Sequence, residues 1–206
     1  MGTIFSRDFY QRDTQLVARE LLGARLVRRI NGQLLTGIIV ETECYKSNDP
    51  ACHAFRGKTK RNQSLFGSVG HAYVYFTYGS HFCLNAVSRD DSIVAGGVLI
   101  RAIEPEHGIV VMEQNRSHKC IKNLTNGPGK LTQALSISRE FDGYDLTEDG
   151  ELFIEKGISI ADCAVEKTPR IGISQAKDVL WRFVVRNQQI LKKIDTKAEN
   201  DGYSLS

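Results

Sequence analysis

The sequence lacks the residue patterns of disulfide frameworks, metal sites and membrane anchors. Its five cysteines are scattered and odd in number, and no Cys-x-x-Cys pair occurs among the 206 residues. This usage fits reduced thiols in a cytosolic protein. No apolar run is long enough to span a membrane, and no stretch resembles a signal peptide. We therefore expect a cytoplasmic protein with no metal, no cofactor and no membrane partner.

Linkers and internal repeats are absent as well. The chain has four prolines, and no segment rich in glycine, serine and proline divides it. Its composition, 41% hydrophobic and 25% charged, is that of an ordinary globular protein with one sizeable core. We expect a single domain over residues 1–206.

A large excess of charge is also lacking, since the formal net charge is only +3. Basic residues nevertheless cluster in two short segments, residues 56–61 and 116–122. Each segment is compatible with a solvated loop or with a surface that binds phosphates. Composition alone does not decide between the two.

Aromatic residues are concentrated in residues 70–85, which read GHAYVYFTYGSHFCLN. Aromatic and β-branched residues on both sides of Gly79-Ser80 predict a β-hairpin with a two-residue turn. The expected cross-strand pairs are Tyr78 with His81, Phe76 with Cys83, and Val74 with Asn85.

Both faces of this hairpin carry aromatic side chains, although a core needs only one apolar face. Side chains alternate along a strand, so one face would hold Tyr73, Tyr75 and Thr77, and the other Val74, Phe76 and Tyr78. The stretch is either a central sheet strand or an aromatic wedge and platform on which bases stack.

Periodicity and turn residues predict the remaining elements. A helix over residues 14–22 would be capped by Asp13 and end at Gly23, and Asn31-Gly32 would join two strands in a hairpin. The other predicted strands are 24–30, 34–43, 97–103, 151–155, 170–173 and 181–186, and the other helices are 104–116 and 131–137.

Two carboxylates, Glu41 and Glu43, follow an apolar strand and would share one face with Tyr45. They are either exposed charges or a buried catalytic carboxylate with a supporting neighbour. Arg101 lies within another apolar strand and needs a partner, because an unpaired buried charge is costly. The two glutamates are its natural partners, in a structural ion pair or in an active site.

Two polar segments carry further candidate residues. Residues 48–62 form a long loop that contains His53, and loops of this length are often functional in compact domains. Gly127-Pro128-Gly129-Lys130 precedes a predicted helix, where free backbone N–H groups can hold a phosphate. The pattern is not a Walker motif, so a DNA phosphate is a possible ligand and a nucleoside triphosphate is unsupported.

Together these motifs resemble the alkyladenine (3-methyladenine) DNA glycosylase family over residues 6–193. The matching elements are Val40-Glu41-Thr42-Glu43-Cys44-Tyr45, His53, Arg61-Asn62, Tyr73-Val74-Tyr75, Tyr78-Gly79, Phe82-Cys83, Asn85, Leu99-Ile100-Arg101-Ala102, Glu104-Pro105, Gly127-Pro128-Gly129-Lys130-Leu131 and Arg170-Ile171-Gly172. A single matching tripeptide would be weak evidence for the family, but this many matching elements in the same order along the chain are specific evidence.

The resemblance implies an α+β fold, a single mixed domain with a curved antiparallel sheet, surrounding helices and a protruding β-hairpin. It implies a monofunctional hydrolase that flips a damaged purine out of double-stranded DNA and cuts its N-glycosidic bond. The substrates would be of the 3-methyladenine, ethenoadenine and hypoxanthine type, and the product an abasic site in base excision repair. We expect a monomer, and a bacterial form would be associated with the nucleoid.

The resemblance also implies the catalytic residues. Glu43 would be the general base that activates water, with Glu41 as support. Arg101 and the main-chain carbonyl of Ile171 would help to hold that water.

For the damaged base, the resemblance implies an aromatic pocket. Tyr45 and His53 would cover one face of the base and Tyr75 the other, with Cys83 and Asn85 also in the pocket. Asn85 would stand where the amino group of guanine would clash. Tyr78 would intercalate in the gap left in the duplex, and Thr59 and Lys130 would contact phosphates.

Three positions depart from the family pattern. Cys44 replaces a common alanine, Lys60 replaces a proline, and Leu65 stands where some members have methionine. These departures bear on loop rigidity and lesion preference rather than on the chemistry.

Two other functions are weighed against a glycosylase. A non-catalytic nucleic-acid-binding module would use the same aromatic residues, but it has no use for Glu43 facing a phosphate-rich ligand. A metal-dependent hydrolase built from His53, His71, His81 and cysteines lacks the necessary ligand spacing.

Overall fold

A curved antiparallel sheet of eight strands forms the centre of the computed structural model, which describes residues 2–77, 79, 81–117 and 120–186. The strands are β1 (Arg25–Ile30), β2 (Gln33–Lys46), β3 (Ala72–Thr77), β4 (His81–Val87), β5 (Gly96–His107), β6 (Leu152–Glu155), β7 (Val165–Thr168) and β8 (Arg182–Val185). Their order is β3-β4-β5-β2-β1-β6, and β8 pairs with both β2 and β7. The predicted α+β fold with a curved antiparallel sheet is confirmed.

Short helices surround this sheet: α1 (Arg7–Tyr10), α2 (Thr14–Glu20), α3 (Ile109–Arg116) and α4 (Pro128–Ala134), with 3-10 turns at Gln63–Phe66, Ile121–Asn123, Arg139–Phe141 and Asp162–Ala164. Helix α2 begins as predicted, because Asp13 accepts hydrogen bonds from the N–H groups of Gln15 and Leu16. Val17 and Leu21 are fully buried in the main core, between this helix and the sheet.

The longest strand, β2, organises the sheet. One edge pairs with β5, and the other pairs first with β1 and then, at residues 41–43, with β8. In the pairing of β2 with β5, Val40 has no partner on β5 and Arg101 has no partner on β2. Each strand thus has one extra residue, and the original register is restored after both. They lie where the acidic end of β2 meets Arg101.

Strand β5 is longer than predicted, and the expected helix start at residue 104 was wrong. Residues 104–107 continue the strand, and α3 begins only at Ile109. Glu104 and Pro105 still pair with β2, beside a further slip in register where a sheet tolerates proline. Glu106 is fixed in the strand by two hydrogen bonds from Arg25.

Two other local predictions were wrong. Residues 170–173 form turns rather than a strand, because Arg170 turns inward to bind Asp49; β7, which sequence analysis missed, pairs with β8 instead. Helix α4 begins at Pro128, so Gly129 and Lys130 belong to its first turn and not to a preceding loop.

The predicted hairpin is present as β3 and β4, but its register is offset by one residue from the prediction. Thr77 pairs with His81, Tyr75 with Cys83, and Tyr73 with Asn85. The connection is therefore three residues long, not two, and Gly79 within it has φ +67°, a conformation typical of three-residue hairpin loops. Tyr78 lies outside the described residues.

Among the helices of the described residues, none is long and apolar enough to cross a membrane.

Candidate active site

A cavity of about 660 Å³ lies beside the hairpin, within the usual size range of small-molecule sites. Its walls bring together most of the site residues that the sequence predicts: Tyr45, His53, Tyr75, Cys83, Asn85, Arg101, Lys130 and Ile171. These residues come from β2, β3, β4, β5, α4 and two loops, so the sheet is what assembles the site.

Glu43 is completely buried next to this wall and is held through both carboxylate oxygens. Oε1 accepts a hydrogen bond from the backbone N–H of Ile171 at 2.8 Å, and Oε2 accepts one from the Tyr45 hydroxyl at 2.7 Å. The Arg101 Nη1 atom lies 3.3 Å from Oε1. A buried carboxylate requires such partners, because an unpaired one would be very unfavourable.

Arg101 also binds the neighbouring carboxylate. Its Nε donates to Glu41 Oε1 at 2.7 Å, and Arg182 Nε donates to the same oxygen at 2.6 Å. Burial alone would raise the pKa of Glu41, but the hydrogen bonds from Arg182 and Arg101 outweigh burial and lower it. Arg101 therefore pairs with both glutamates, as the sequence predicts.

The aromatic wall of the cavity is formed by β3 and the loop after β2. The rings of Tyr73 and Tyr75 lie 5.2 Å apart, and the His53 ring stands edge-on at 4.6 Å from Tyr75. His53 Nδ1 is 3.0 Å from the Tyr73 hydroxyl. Burial, followed by the charge of Arg61, lowers the pKa of His53, so the imidazole is neutral at neutral pH.

Cys83 and Asn85 reach this wall through the observed hairpin register. Directly opposed residues of two strands share a face, so Cys83 lies beside Tyr75 and Asn85 beside Tyr73. The Asn85 amide donates to the Tyr73 carbonyl at 3.1 Å, which fixes its orientation. The predicted register would have placed Asn85 opposite Val74, on the other face of the hairpin.

The basic loop after β2 is organised by Asn62, which is buried. Its side chain donates to the carbonyl oxygens of His53 and Gly57 at 2.8 and 3.0 Å. Its Oδ1 accepts from the backbone and the hydroxyl of Thr59. Thr59 is exposed but does not line the cavity, whereas Lys130 lines it and bonds Asn126.

Sequence reasoning missed Asp49 and gave no role to Arg170. The two side chains form a buried ion pair across 121 residues of sequence. An arginine at the start of the predicted strand 170–173 was the available signal, but nothing in the sequence identified its partner.

The described residues contain no cluster of His, Cys, Asp and Glu side chains that could hold a metal ion. Among the departures from the family pattern, Cys44 is buried in the main core, Leu65 is buried and lines the cavity, and Lys60 is exposed. Burial raises the pKa of the Cys83 thiol in the cavity wall, so this group is a neutral wall residue.

Known proteins similar to this chain share one description. The model of the methylpurine-DNA glycosylase family matches residues 8–189. Three relatives carry the name "Putative 3-methyladenine DNA glycosylase". The one from Carboxydothermus hydrogenoformans is 50% identical over 190 residues, which cover 92% of this chain and 99% of the relative. Those from Prosthecochloris aestuarii and Clostridium acetobutylicum are both 47% identical, over 94% and 91% of this chain and 92% and 98% of the relatives.

These matches extend over nearly the whole chain, including the strands and loops that form the cavity. Alkylated bases in DNA are the damage that such enzymes process, and they release the base by hydrolysis. The chain therefore belongs to the methylpurine-DNA glycosylase family, a family of DNA repair hydrolases that cut the N-glycosidic bond.

Proposed function

We propose that this glycosylase flips alkylated or deaminated purines out of double-stranded DNA and hydrolyses their N-glycosidic bond with a water activated by Glu43. The substrates are of the 3-methyladenine, ethenoadenine and hypoxanthine type. The product is an abasic site. The enzyme acts as a monomer, and its chain is a single domain.

The observation that supports this proposal most strongly is a buried carboxylate beside an aromatic cavity. Glu43 accepts one hydrogen bond on each oxygen from a protein N–H or O–H group. A carboxylate has about four acceptor positions, so Glu43, which is buried directly behind the lining residues Tyr45, Arg101 and Ile171, has the capacity to accept a further hydrogen bond from a water. Arg101 and the main-chain carbonyl of Ile171 are proposed to orient that water.

The reaction needs a negative group at this place. Breaking the N-glycosidic bond builds positive charge on the sugar, as in glycoside hydrolysis. Ionised Glu43 would stabilise this charge and take a proton from the attacking water. The same carboxylate thus serves both the developing cation and the nucleophile.

The cavity wall suits a purine that has left the duplex. Tyr45, Tyr75 and neutral His53 present uncharged rings, and an alkylated purine that carries a positive charge is attracted to aromatic faces. Asn85 is proposed to exclude the amino group of guanine. Cys83 completes the wall beside Tyr75.

Extruding a base from the duplex costs a few kcal/mol, about as much as the stacking of one or two aromatic rings provides. Tyr78, at the hairpin tip, is proposed to fill the gap. Thr59 and Lys130 are proposed to contact backbone phosphates, since Thr59 is exposed and Lys130 is a partly exposed cation in the cavity wall.

The first test is Glu43→Gln, which keeps the shape of the side chain and removes the base. General-base catalysis typically contributes about 10²- to 10⁴-fold, so single-turnover excision of hypoxanthine from a duplex should fall by at least this factor. Binding to the lesion duplex should persist. Glu140→Gln, a change of an exposed acid, is the control, and near-normal excision by Glu43→Gln would assign the base to another residue.

The second test asks whether a covalent intermediate forms. Water activation predicts that borohydride traps no protein–DNA adduct and that strand breaks appear only after alkali. Lys130 is a lysine in the cavity wall and would be the first candidate for a Schiff base. If the wild type forms an adduct and Lys130→Ala does not, Lys130 forms a Schiff base and the enzyme is a lyase rather than a simple hydrolase.

A further inference from the structure

The ion pair between Arg170 and Asp49 is buried just outside the cavity. Both side chains are almost completely excluded from solvent. The guanidinium binds the carboxylate in a two-pronged manner, with Nη1 on Oδ2 and Nη2 on Oδ1, the latter at 3.1 Å. Neither residue lines the cavity, so neither is a candidate for contact with a base.

Arg170 is joined to both groups that hold the Glu43 carboxylate. It is the chain neighbour of Ile171, whose N–H binds Glu43 Oε1. Its guanidinium also lies over the ring of Tyr45, 4.8 Å from the ring centre, and the Tyr45 hydroxyl binds Oε2. A shift of Arg170 would therefore disturb both of these hydrogen bonds to Glu43 together.

The remaining contacts of Arg170 fix its position from three sides. Nη1 donates to the carbonyl of Cys44 at 2.9 Å, the residue between Glu43 and Tyr45. The Trp181 ring lies 5.2 Å from the guanidinium, and the Trp181 carbonyl accepts from the Cys44 N–H. Asp49 supplies the third side.

Asp49 connects this unit to the loop that carries His53. Its Oδ1 accepts from the N–H of Ala51 at 3.0 Å, and its carbonyl accepts from the N–H of Cys52 at 2.9 Å. The turn closed by these bonds leads directly into His53, in the aromatic wall. One carboxylate thus shapes a wall of the cavity and anchors the arginine behind Glu43.

We propose that Arg170 and Asp49 are positioning residues, whose buried ion pair sets the orientation of the Glu43 carboxylate and of the His53 loop. Stability is not a sufficient explanation for the pair, because buried ion pairs often add little over apolar residues of similar size. Catalysis, by contrast, is sensitive to placement, since a misplacement of about 1 Å can cost about 10²-fold in rate. This inference depends on the proposed role of Glu43.

The test compares Asp49→Asn and Arg170→Lys with Glu106→Gln. Glu106 accepts two hydrogen bonds from Arg25 in another two-pronged, largely buried pair, but it lies away from the cavity. All three variants weaken a charge pair, and only the first two affect the site. Arg170→Lys keeps the charge and removes the planar fork and its stacking on Tyr45.

Two quantities are measured on a hypoxanthine duplex well below each melting temperature: the single-turnover excision rate at saturating enzyme, and the Kd. For Asp49→Asn and Arg170→Lys we expect the rate to fall by about 10-fold or more, since the geometry at Glu43 is lost, and the Kd to change by a smaller factor, through the His53 loop. Glu106→Gln should change neither quantity by more than about 3-fold, although it lowers the melting temperature. A purely structural pair would give rates that follow melting temperature in all three variants.

Rates within about 3-fold of wild type for both Asp49→Asn and Arg170→Lys would overturn the proposal, as would an equal loss for Glu106→Gln. If Asp49→Asn fails to fold, Arg170→Lys decides the question alone. Glu43→Gln is measured in parallel. If Glu43→Gln retains excision, both the role of Glu43 and the positioning role are refuted. If Glu43→Gln loses excision while Asp49→Asn and Arg170→Lys excise at the wild-type rate, only the positioning role is refuted.

Discussion

At the scale of single residues, the two carboxylates of β2 differ in what surrounds them. Glu41 binds two arginines through one oxygen, and these bonds hold its pKa below the usual range. Glu43 instead accepts its two hydrogen bonds from a backbone N–H and a phenol, which leaves Arg101 at a longer 3.3 Å. Glu41 is thus paired with two charged arginines, whereas the hydrogen bonds of Glu43 come from uncharged groups, and we propose Glu43 rather than Glu41 as the base.

Asn85 is the residue for which selectivity can be tested. It is only 5% exposed, and its amide is tied to the Tyr73 carbonyl, so it cannot swing away from a bulkier base. Asn85→Ala should therefore raise excision of 7-methylguanine, which carries the exocyclic amino group, relative to hypoxanthine, which lacks it. Rejection of one extra group by a pocket is typically worth about 10- to 200-fold.

The measurement is the ratio of single-turnover rates for the two bases in otherwise identical duplexes. A parallel change in both rates would contradict a selective role for Asn85 and indicate a general effect on the pocket.

At the scale of secondary-structure elements, local patterns predicted the hairpin, α2 and its cap, but not the hairpin register. The dipeptide Gly79-Ser80 favours a two-residue turn, whereas the loop in the structure has three residues. The positive φ of Gly79 is compatible with either loop length, so this glycine does not decide between them. Register depends on which residues of β3 and β4 pack together, and this information is not local in the sequence.

The hairpin tip provides the prediction at this scale. If Tyr78 is an intercalating wedge, Tyr78→Ala should barely change the melting temperature and should weaken lesion-DNA binding by roughly 1–3 kcal/mol, the stacking of one ring. If its ring were instead buried in the core, the same change would destabilise the fold by about 3–5 kcal/mol. Thermal unfolding and lesion-DNA affinity of one variant thus separate the two alternatives.

Phe76→Ala, a change two residues before Tyr78 in the sequence, is a matched control. Its ring is 40% exposed and packs on Phe82, on the face opposite the cavity. We expect this variant to lose some stability and to bind lesion DNA nearly as well as wild type. Equal losses of affinity in the two variants would mean that the hairpin as a whole, and not the ring of Tyr78, is responsible.

At the scale of the whole molecule, most of the predicted site residues line the cavity, and they were predicted because the chain resembles a family. Residues 43, 85 and 171 are far apart in sequence, and no spacing rule brings them together. Asp49 and Arg170 were not predicted, since their pairing follows from the folded path of two loops. Glu43 could be proposed as the base from the sequence, but the Arg170–Asp49 pair, which we propose to orient it, could not.

Asp145 connects helix α1 to residues near the start of β3, which gives a prediction about pH. Arg7 of α1 donates to this carboxylate, Thr147 donates to it twice, and His71 Nε2 lies 3.3 Å away. Burial would raise its pKa, but the hydrogen bonds from Thr147 and Arg7 lower it to about 2. Because an unfolded aspartate has a pKa of about 3.9, the stabilisation is present above that pH and is lost as pH falls toward 2.

Asp145→Asn should therefore lose less melting temperature than wild type between pH 4 and about pH 2, because it has no carboxylate to protonate. At pH 7 it should melt below the wild type. If the melting temperatures of the two proteins fall equally with pH across this acid range, Asp145 makes no such contribution.

The unpaired residues Val40 on β2 and Arg101 on β5 restrict where the genes of this family can gain or lose codons. Because one extra residue on β2 is balanced by one on β5, the strands are back in step when they reach Glu43 and Tyr45. A single-codon deletion at Val40 would remove the extra residue of β2 and leave the one at Arg101 on β5. The side chains of either the acidic end of β2 or its apolar beginning would then point to the wrong face of the sheet. Insertions and deletions should therefore accumulate in the outer loops during evolution, while residues 38–45 keep a constant length even where their identities drift.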